Sequence, residues 1–430
     1  MTNSTPLLES EVPVRVIDGP RAAGLASGAF WTLTASIAGA VSQWLLVAMT
    51  AKLGSTEMVG HLAMSLAIVA PVQALTDLAL RPALATDARG DFRFRDYWRL
   101  RGAMIVLFLV IVGSLSFWRG GIAGPIILVI GLQKAVESAS DIFFGLFQRA
   151  ERLRWMGQSV VLRSALASLT FAAVMTLTGN LLWACLAGWI VRVAVFLLHD
   201  LTLFSSLSHG MTETHPHPSK VSGLLTASAP LAFAAFLMAV TVNVPRYIVE
   251  RRMGAASLGI FAALIYLFQL GAILVDALGQ AACVRLSRHH ASGDNKAFLT
   301  LVMKLVGLAA AVSGCGVVLV LMCGEPLLSL AYSAAFAAHV RTLLWLSLCA
   351  LPWYCSSVLG YAIVARRQMK VLLCCQITAL LTALGASWWL IGGTDLSGAC
   401  SAVFVIYSIQ LTMYVFILFR APERSWAPYR

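Results

Sequence analysis

Apolar runs of about twenty residues or more, each closed by a basic residue or a turn, recur along the whole chain. Coiled into an α-helix that rises about 1.5 Å per residue, such a run crosses about 30 Å of hydrocarbon. A soluble helical protein with a large core would need striped, amphipathic helices, yet stretches such as 305–322 are apolar all round. Composition points the same way: 59% of the 430 residues are hydrophobic and 12% charged, against roughly 25% charged in soluble domains. The chain reads as an all-α integral membrane protein.

The formal charge of +12 does not indicate nucleic acid, because the cations punctuate the ends of the apolar runs and gather on no single domain. Residues 1–20 are polar, with Glu9, Glu11 and Asp18, and read as a tail without the apolar core of a cleaved leader. None of the nine cysteines has zinc-like spacing, and they read as small packing residues.

Hydropathy and charged breaks place twelve spans near 22–50, 57–80, 99–118, 121–147, 157–179, 181–204, 223–249, 256–282, 298–323, 342–365, 370–391 and 396–419. Stretch 324–341 reads as an external loop that dips toward the membrane. One set of loops carries Arg81, Arg89, Arg93, Arg95, Arg99 and Arg101, then Arg149, Arg152 and Arg154, then Lys220, then Arg285, Arg288 and Lys296, then Arg366, Arg367 and Lys370. The opposite set holds only Lys52, Arg119, Arg246, Arg251, Arg252 and Arg341. The richer set is expected inside, which puts both termini in the cytoplasm. An odd number of spans would send Arg420, Arg424 and Arg430 outside.

The polar segment 205–222 reads as a cytoplasmic linker, with His215 and His217 as solvated linker residues. Around it the sequence echoes itself. Gly60 precedes Asp77 by seventeen residues, and Gly259 precedes Asp276 by seventeen. Gly145 precedes Arg152 by seven, and Gly360 precedes Arg367 by seven. The expected organisation is a tail (1–21), an N-lobe of six helices (22–204), the linker, a C-lobe of six helices (223–419) and a second tail (420–430). Matching lobes of this kind are a transporter device, with the substrate path between them.

Two stretches are the most distinctive. One is Glu137-Ser-Ala-Ser-Asp141 followed by Gly145-Leu-Phe-Gln148-Arg149-Ala-Glu151-Arg152 and Arg163. The other is Asn243-Val-Pro245-Arg246-Tyr247-Ile-Val-Glu250 followed by Leu258-Gly259-Ile-Phe, Leu278-Gly279-Gln280-Ala281 and Arg285-Leu286. Over nearly its whole length the chain resembles the polysaccharide flippases (Wzx-type) of the MOP superfamily, whose other branches include the MATE drug exporters. The resemblance implies a carrier of polyprenyl-pyrophosphate-linked oligosaccharide (undecaprenyl-pyrophosphate type). It would move this cargo from the inner to the outer leaflet of the bacterial cytoplasmic membrane by alternating access, for surface polysaccharide biosynthesis. It also implies no catalytic residue, metal or cofactor. The expected partners are membrane lipids, H+ or Na+ as a coupling ion and the polysaccharide assembly machinery.

An ionisable side chain at the bilayer centre costs roughly 2.5–3.5 kcal/mol on insertion scales, so it faces a cavity or a partner. Lys134 and Arg192 fall near the centres of their spans, Arg163 about two turns inside its own, and Arg246 toward the outer end of the seventh. With the cargo that the resemblance implies, Lys134, Arg163 and Arg192 are expected to line an N-lobe cavity, with Arg246 facing it from the C-lobe. Arginine offers phosphate a planar fork, whereas lysine acts as a point charge. Neutralisation by fixed acids is the competing reading, and Glu137, three residues from Lys134, is in reach for it. Glu137 and Asp141 share a stripe with Lys134 and Gln148; they are candidates for ion coupling or are counter-ions. Asp77 and Arg81, four residues apart, read as a local ion pair.

No Gly-Lys dipeptide occurs, which excludes a P-loop, and no D-x-D motif points to a nucleotide-sugar transferase. Two alternatives remain open. A MATE-like exporter would prefer an acidic cavity for cationic drugs. A membrane polysaccharide polymerase or ligase would need a large external loop, and the longest expected here has about eighteen residues.

Overall fold

Among the described residues, twelve long helices follow one another in the order that hydropathy predicts. The structure, a computed structural model, describes residues 25–87, 92–208, 221–393 and 395–420, and holds no strand among them. Both tails, His215, His217 and Lys220 of the linker, Arg89, and Arg424 and Arg430 lie outside the described residues.

The N-terminal six are α1 (Leu25–Leu53), α2 (Thr56–Thr76), α3 (Phe94–Arg119), α4 (Ala123–Arg149), α5 (Leu153–Thr178) and α6 (Leu181–Val195). A short helix, Leu80–Thr86, extends α2, and a π-helical turn, Phe196–Asp200, carries α6 into Leu201–Ser208. The continuous helix Val221–Ala291 is broken at Gly254, whose φ of 84° and ψ of 175° no helix accommodates; its halves are α7 (221–253) and α8 (255–291). Positive φ of this kind is cheap only for glycine. The remaining four are α9 (Asn295–Ala331), α10 (Val340–Ala365), α11 (Met369–Leu390) and α12 (Ser397–Arg420).

Ten of the described helices are long and apolar enough to span by composition alone. The break at Gly254 makes two spans of one of them. The twelfth span is α4, whose Lys134, Glu137 and Asp141 dilute its apolar character. Stretch 324–341 departs from the expected loop. α9 kinks at Cys323 and runs on to Ala331, followed by a short helix, Ala334–Ala337. Pro326 lies just past the kink, and its missing N–H cannot continue the helical ladder across it.

Within the first six helices α1 packs on α5, α3 on α4 and α5 on α6; within the last six α9 and α12 both pack on α10. The two lobes join chiefly where α2 lies against the α7–α8 pair. The duplicated glycines mark that crossing. A Cβ on Gly60 would collide with the Ala255 carbonyl, and one on Gly259 with the Thr56 carbonyl and the Gly60 amide. Lipid offers helices little hydrophobic drive to associate, so close backbone approach at small residues does the joining.

The helix ends after α4 and α10 also correspond, one residue out of register with the Gly145–Arg152 and Gly360–Arg367 spacing. After α4, Arg152 N–H bonds back to the Phe147 carbonyl with Glu151 at φ 55°; after α10, Gln368 N–H bonds back to the Ile363 carbonyl with Arg367 at φ 56°. Both are six-to-one helix stops with a left-handed residue. Large apolar side chains are exposed along the outer helix faces, among them Val110, Phe117, Leu177, Met322 and Trp389. In a multi-pass membrane protein these are the surfaces that face lipid.

Candidate functional site: charges inside the N-lobe

The stripe on α4 divides its charges between two groups. Toward the Arg149 end, Asp77 and Asp141 meet Arg101 and Arg81. Arg101 Nη1 donates to Asp77 Oδ1 at 2.7 Å and to Ser138 Oγ at 2.8 Å, and its Nη2 lies 3.5 Å from Asp141 Oδ2. Arg81 Nη1 donates to Asp141 Oδ1 at 3.1 Å and Arg81 Nε to Gln148 Oε1 at 3.1 Å. Two acids face two guanidiniums, so this quartet is neutral. Arg101 is 1% exposed, which marks the group as a buried strut between α2, α3 and α4.

The local pair expected between Asp77 and Arg81 does not form. Leu78 and Ala79 adopt φ of 49° and 47°, which breaks α2 after Thr76. Without a continuous helix the i,i+4 neighbourhood is lost. Arg81 then turns to Asp141, and Asp77 is taken by Arg101, an arginine that hydropathy assigns to the edge of its span.

One to two turns back along α4 the charges do not balance. Glu137 Oε2 accepts from Lys134 Nζ at 2.8 Å, and Glu137 Oε1 from Arg192 Nε at 3.1 Å. Arg163 lies within Coulombic reach of the same carboxylate. Two cations thus pair with Glu137 and a third lies near it beyond ion-pair distance, three positive charges against one acid. Arg192 folds back along α6, where its Nη1 donates to the Gly188 carbonyl at 3.0 Å; a Cβ at Gly188 would stand 3.2 Å from that nitrogen. Arg163 packs over the Phe144 ring at 5.7 Å, with Arg81 also against that ring at 5.9 Å, and its buried Nη1 has no hydrogen-bond partner. Lys134 and Glu137 keep 26% and 22% side-chain exposure, so this pair is not sealed in packing, whereas Arg192 is buried.

The structure brings Lys134, Arg163 and Arg192 together, as their mid-span positions suggest, and leaves Arg246 elsewhere. Arg246 is 5% exposed and lines a cavity built from α7, α8, α10 and α12, all of the C-lobe. Its Nη1 donates to Asn243 Oδ1 at 2.9 Å and its guanidinium lies 5.5 Å from the Tyr266 ring centre, while Nε and Nη2 are unpartnered. The free volume of about 30 Å³ holds roughly one or two waters and no sugar. Asp276 accepts a hydrogen bond from Ser357 on α10, much as Asp77 accepts from Ser138 on α4 at 2.6 Å.

Among the buried polar residues, Arg101 and Asp200 escaped the reading of the sequence. Arg101 looked like a loop cation, although its position directly after the first apolar residue of a span could have flagged it. Asp200 is fully buried in the π-helical turn, 3.2 Å from His199 Nδ1; no sequence signal announces a π-turn.

No protein-family model matches the chain. The chain is similar to the capsular polysaccharide biosynthesis protein CapF of Staphylococcus aureus, at 24% identity over 386 residues, 90% of this chain and 97% of that protein. Among solved structures, a multidrug resistance MATE family transporter of the MOP superfamily in its inward-facing conformation superposes with a TM-score of 0.73 at 12% identity, covering 91% of this chain and 100% of that one. The chain has the MOP transporter fold. The outward-facing form of a multidrug resistance MATE family transporter fits this fold less closely, with a TM-score of 0.64 over 91% of this chain and 93% of that one, at 13% identity. A MOP superfamily transporter from Pyrococcus furiosus, described as having a binding pocket of reverse polarity, gives 0.65 at 14% identity over 92% and 96% of the two chains.

Proposed function

We propose that this protein moves a lipid-linked oligosaccharide across the bacterial cytoplasmic membrane, with its pyrophosphate passing the cations of the N-lobe. The observation that carries this reading is the excess of two positive charges around Glu137, deep in a helix that must cross lipid. An anionic head group entering there would complete the charge balance and occupy the unpartnered Nη1 of Arg163. The similarity to a capsular polysaccharide biosynthesis protein supports the cargo class. In this reading the arginine-rich loops and both termini are cytoplasmic, the lobes are 22–204 and 223–419, and the cavity opens to the inside. Arg246 acts apart from the other three, in the C-lobe. Coupling to H+ or Na+ through Glu137 or Asp141 would require the ion to compete with the cations that already hold both carboxylates.

Export of polysaccharide by a strain lacking the gene, restored by the wild-type chain, tests the reading. Arg163→Ala and Arg192→Ala, each expressed at wild-type level, are expected to cut export at least tenfold, with lipid-linked repeat units accumulating on the cytoplasmic face. Normal export by both variants overturns it. A second reading, a multidrug exporter, draws on the multidrug transporters that share the fold. It predicts lost drug resistance with polysaccharide untouched, and an acidic cavity that the N-lobe does not have.

A further inference from the structure

Where α8 leaves the bilayer and α9 re-enters it, a groove of about 420 Å³ is lined by Arg285, His289, Asp294, Lys296, Thr300 and Lys304. That is within the roughly 300–1,000 Å³ of small-molecule sites. Arg285 and His289 are one turn apart on α8, and Lys296, Thr300 and Lys304 follow at single turns on α9, so two helical stripes face each other across the groove. Counting three cations against Asp294 gives a net charge of +2 with His289 neutral. Asp294 is committed to capping α9, its Oδ1 accepting from the Ala297 N–H at 2.9 Å. None of Arg285, Lys296 and Lys304 has an acid within ion-pair distance among the described residues.

The surroundings decide what fills the groove. Val284 and Met303, next to Arg285 and Lys304, are 58% and 57% exposed, and Leu308 one turn below Lys304 is also exposed. These are lipid-facing side chains, so the groove opens along the bilayer boundary. Lys304 lies within the apolar part of α9 and must reach up to the head-group layer. We infer that the groove formed by Arg285, Lys296 and Lys304 binds the head group of an anionic phospholipid, with the acyl chains along the outer face of α9. A basic pocket between spans at the membrane surface suits a phosphodiester, and each nearby cation strengthens its hold. Such a lipid would pin the α8–α9 hairpin to the membrane while the lobes move. The inference is independent of the cargo.

The purified full-length chain, incubated with equal amounts of phosphatidylglycerol and phosphatidylcholine and examined by native mass spectrometry, tests it. The wild type is expected to retain phosphatidylglycerol. Lys296→Gln/Lys304→Gln, two exposed positions, should retain it at least tenfold less. Arg95→Gln/Arg99→Gln, an equal loss of exposed charge on α3, should retain it as the wild type does, and thermal unfolding confirms that both variants are folded. Equal loss in both variants, or loss in neither, overturns the site. With undecaprenyl pyrophosphate added to the same mixture, its preferential retention, abolished by the Lys296/Lys304 variant, would assign the groove to cargo and overturns it too.

Discussion

A single carboxylate holds the N-lobe cations in place. Glu137→Gln leaves Lys134, Arg163 and Arg192 without an acid, whereas Lys134→Gln leaves Glu137 paired with Arg192. Breaking a buried pair by removing one partner costs about 3–5 kcal/mol when nothing replaces it. Melting of the purified protein in detergent is therefore expected to drop by several degrees for Glu137→Gln and by little for Lys134→Gln. Equal shifts would mean that Arg192 does not need the carboxylate. Arg101→Leu should be worse than either, since it strands Asp77 and leaves Asp141 to Arg81 alone. Gly188→Val acts differently: a branched side chain beside Arg192 Nη1 dislodges the guanidinium, so transport should fall while the melting temperature stays within a few degrees. The clustering of Lys134, Glu137 and Arg192 could be read from the chain, because mid-span charges must find one another. The partner of Asp77 could not, because it depends on a local break at Leu78 and Ala79 that no residue type there demands.

The elements follow from periodicity and from the charges at their ends. Twelve spans, the glycine break between α7 and α8 and the two repeated helix stops are each consistent with local rules. The crossing of α2 with α8 joins the lobes by close backbone approach. Gly60→Val and Gly259→Val place a side chain where backbone already stands, so each should push the two helices apart. Cysteines introduced at Thr56 and Ala255 are expected to cross-link readily in a cysteine-free parent and at least fivefold more slowly when either glycine is replaced. Unchanged cross-linking would show that the crossing tolerates a wider spacing. Residues 324–331 show where local reading failed: Glu325 and Pro326 suggested a loop, yet tertiary packing buries Leu328 and Ala331 and keeps them helical after the kink.

At the scale of the whole molecule, one face is held shut. The arginine-poor ends of the lobes meet through the Gly60–Gly259 crossing, a hydrogen bond from Tyr247 Oη to the Ala67 carbonyl, and an ion pair between Arg119 of α3 and Glu250 of α7. The ion pair is partly exposed, at 32% and 15%, so it contributes about 0.2–1 kcal/mol. That is enough to shift a two-state population up to about fivefold. Arg119→Glu should move distances between spin labels at Asn180 and Gly393 toward longer values, and Arg119→Glu/Glu250→Arg should restore them. No change in the single variant would remove the pair from the closure.

The chain alone determined that this protein lives in lipid, how many times it crosses and that its halves correspond. Each of these depends on residue type and spacing, and the bilayer reads them without reference to distant contacts. Only the tertiary structure decided which charges cancel and which remain. Ion pairing depends on distances of a few ångströms between helices far apart in sequence. Lys134, Arg163 and Arg192 share one acid because α4, α5 and α6 converge, whereas Arg81 and Arg101, equally basic in sequence, are neutralised by Asp77 and Asp141.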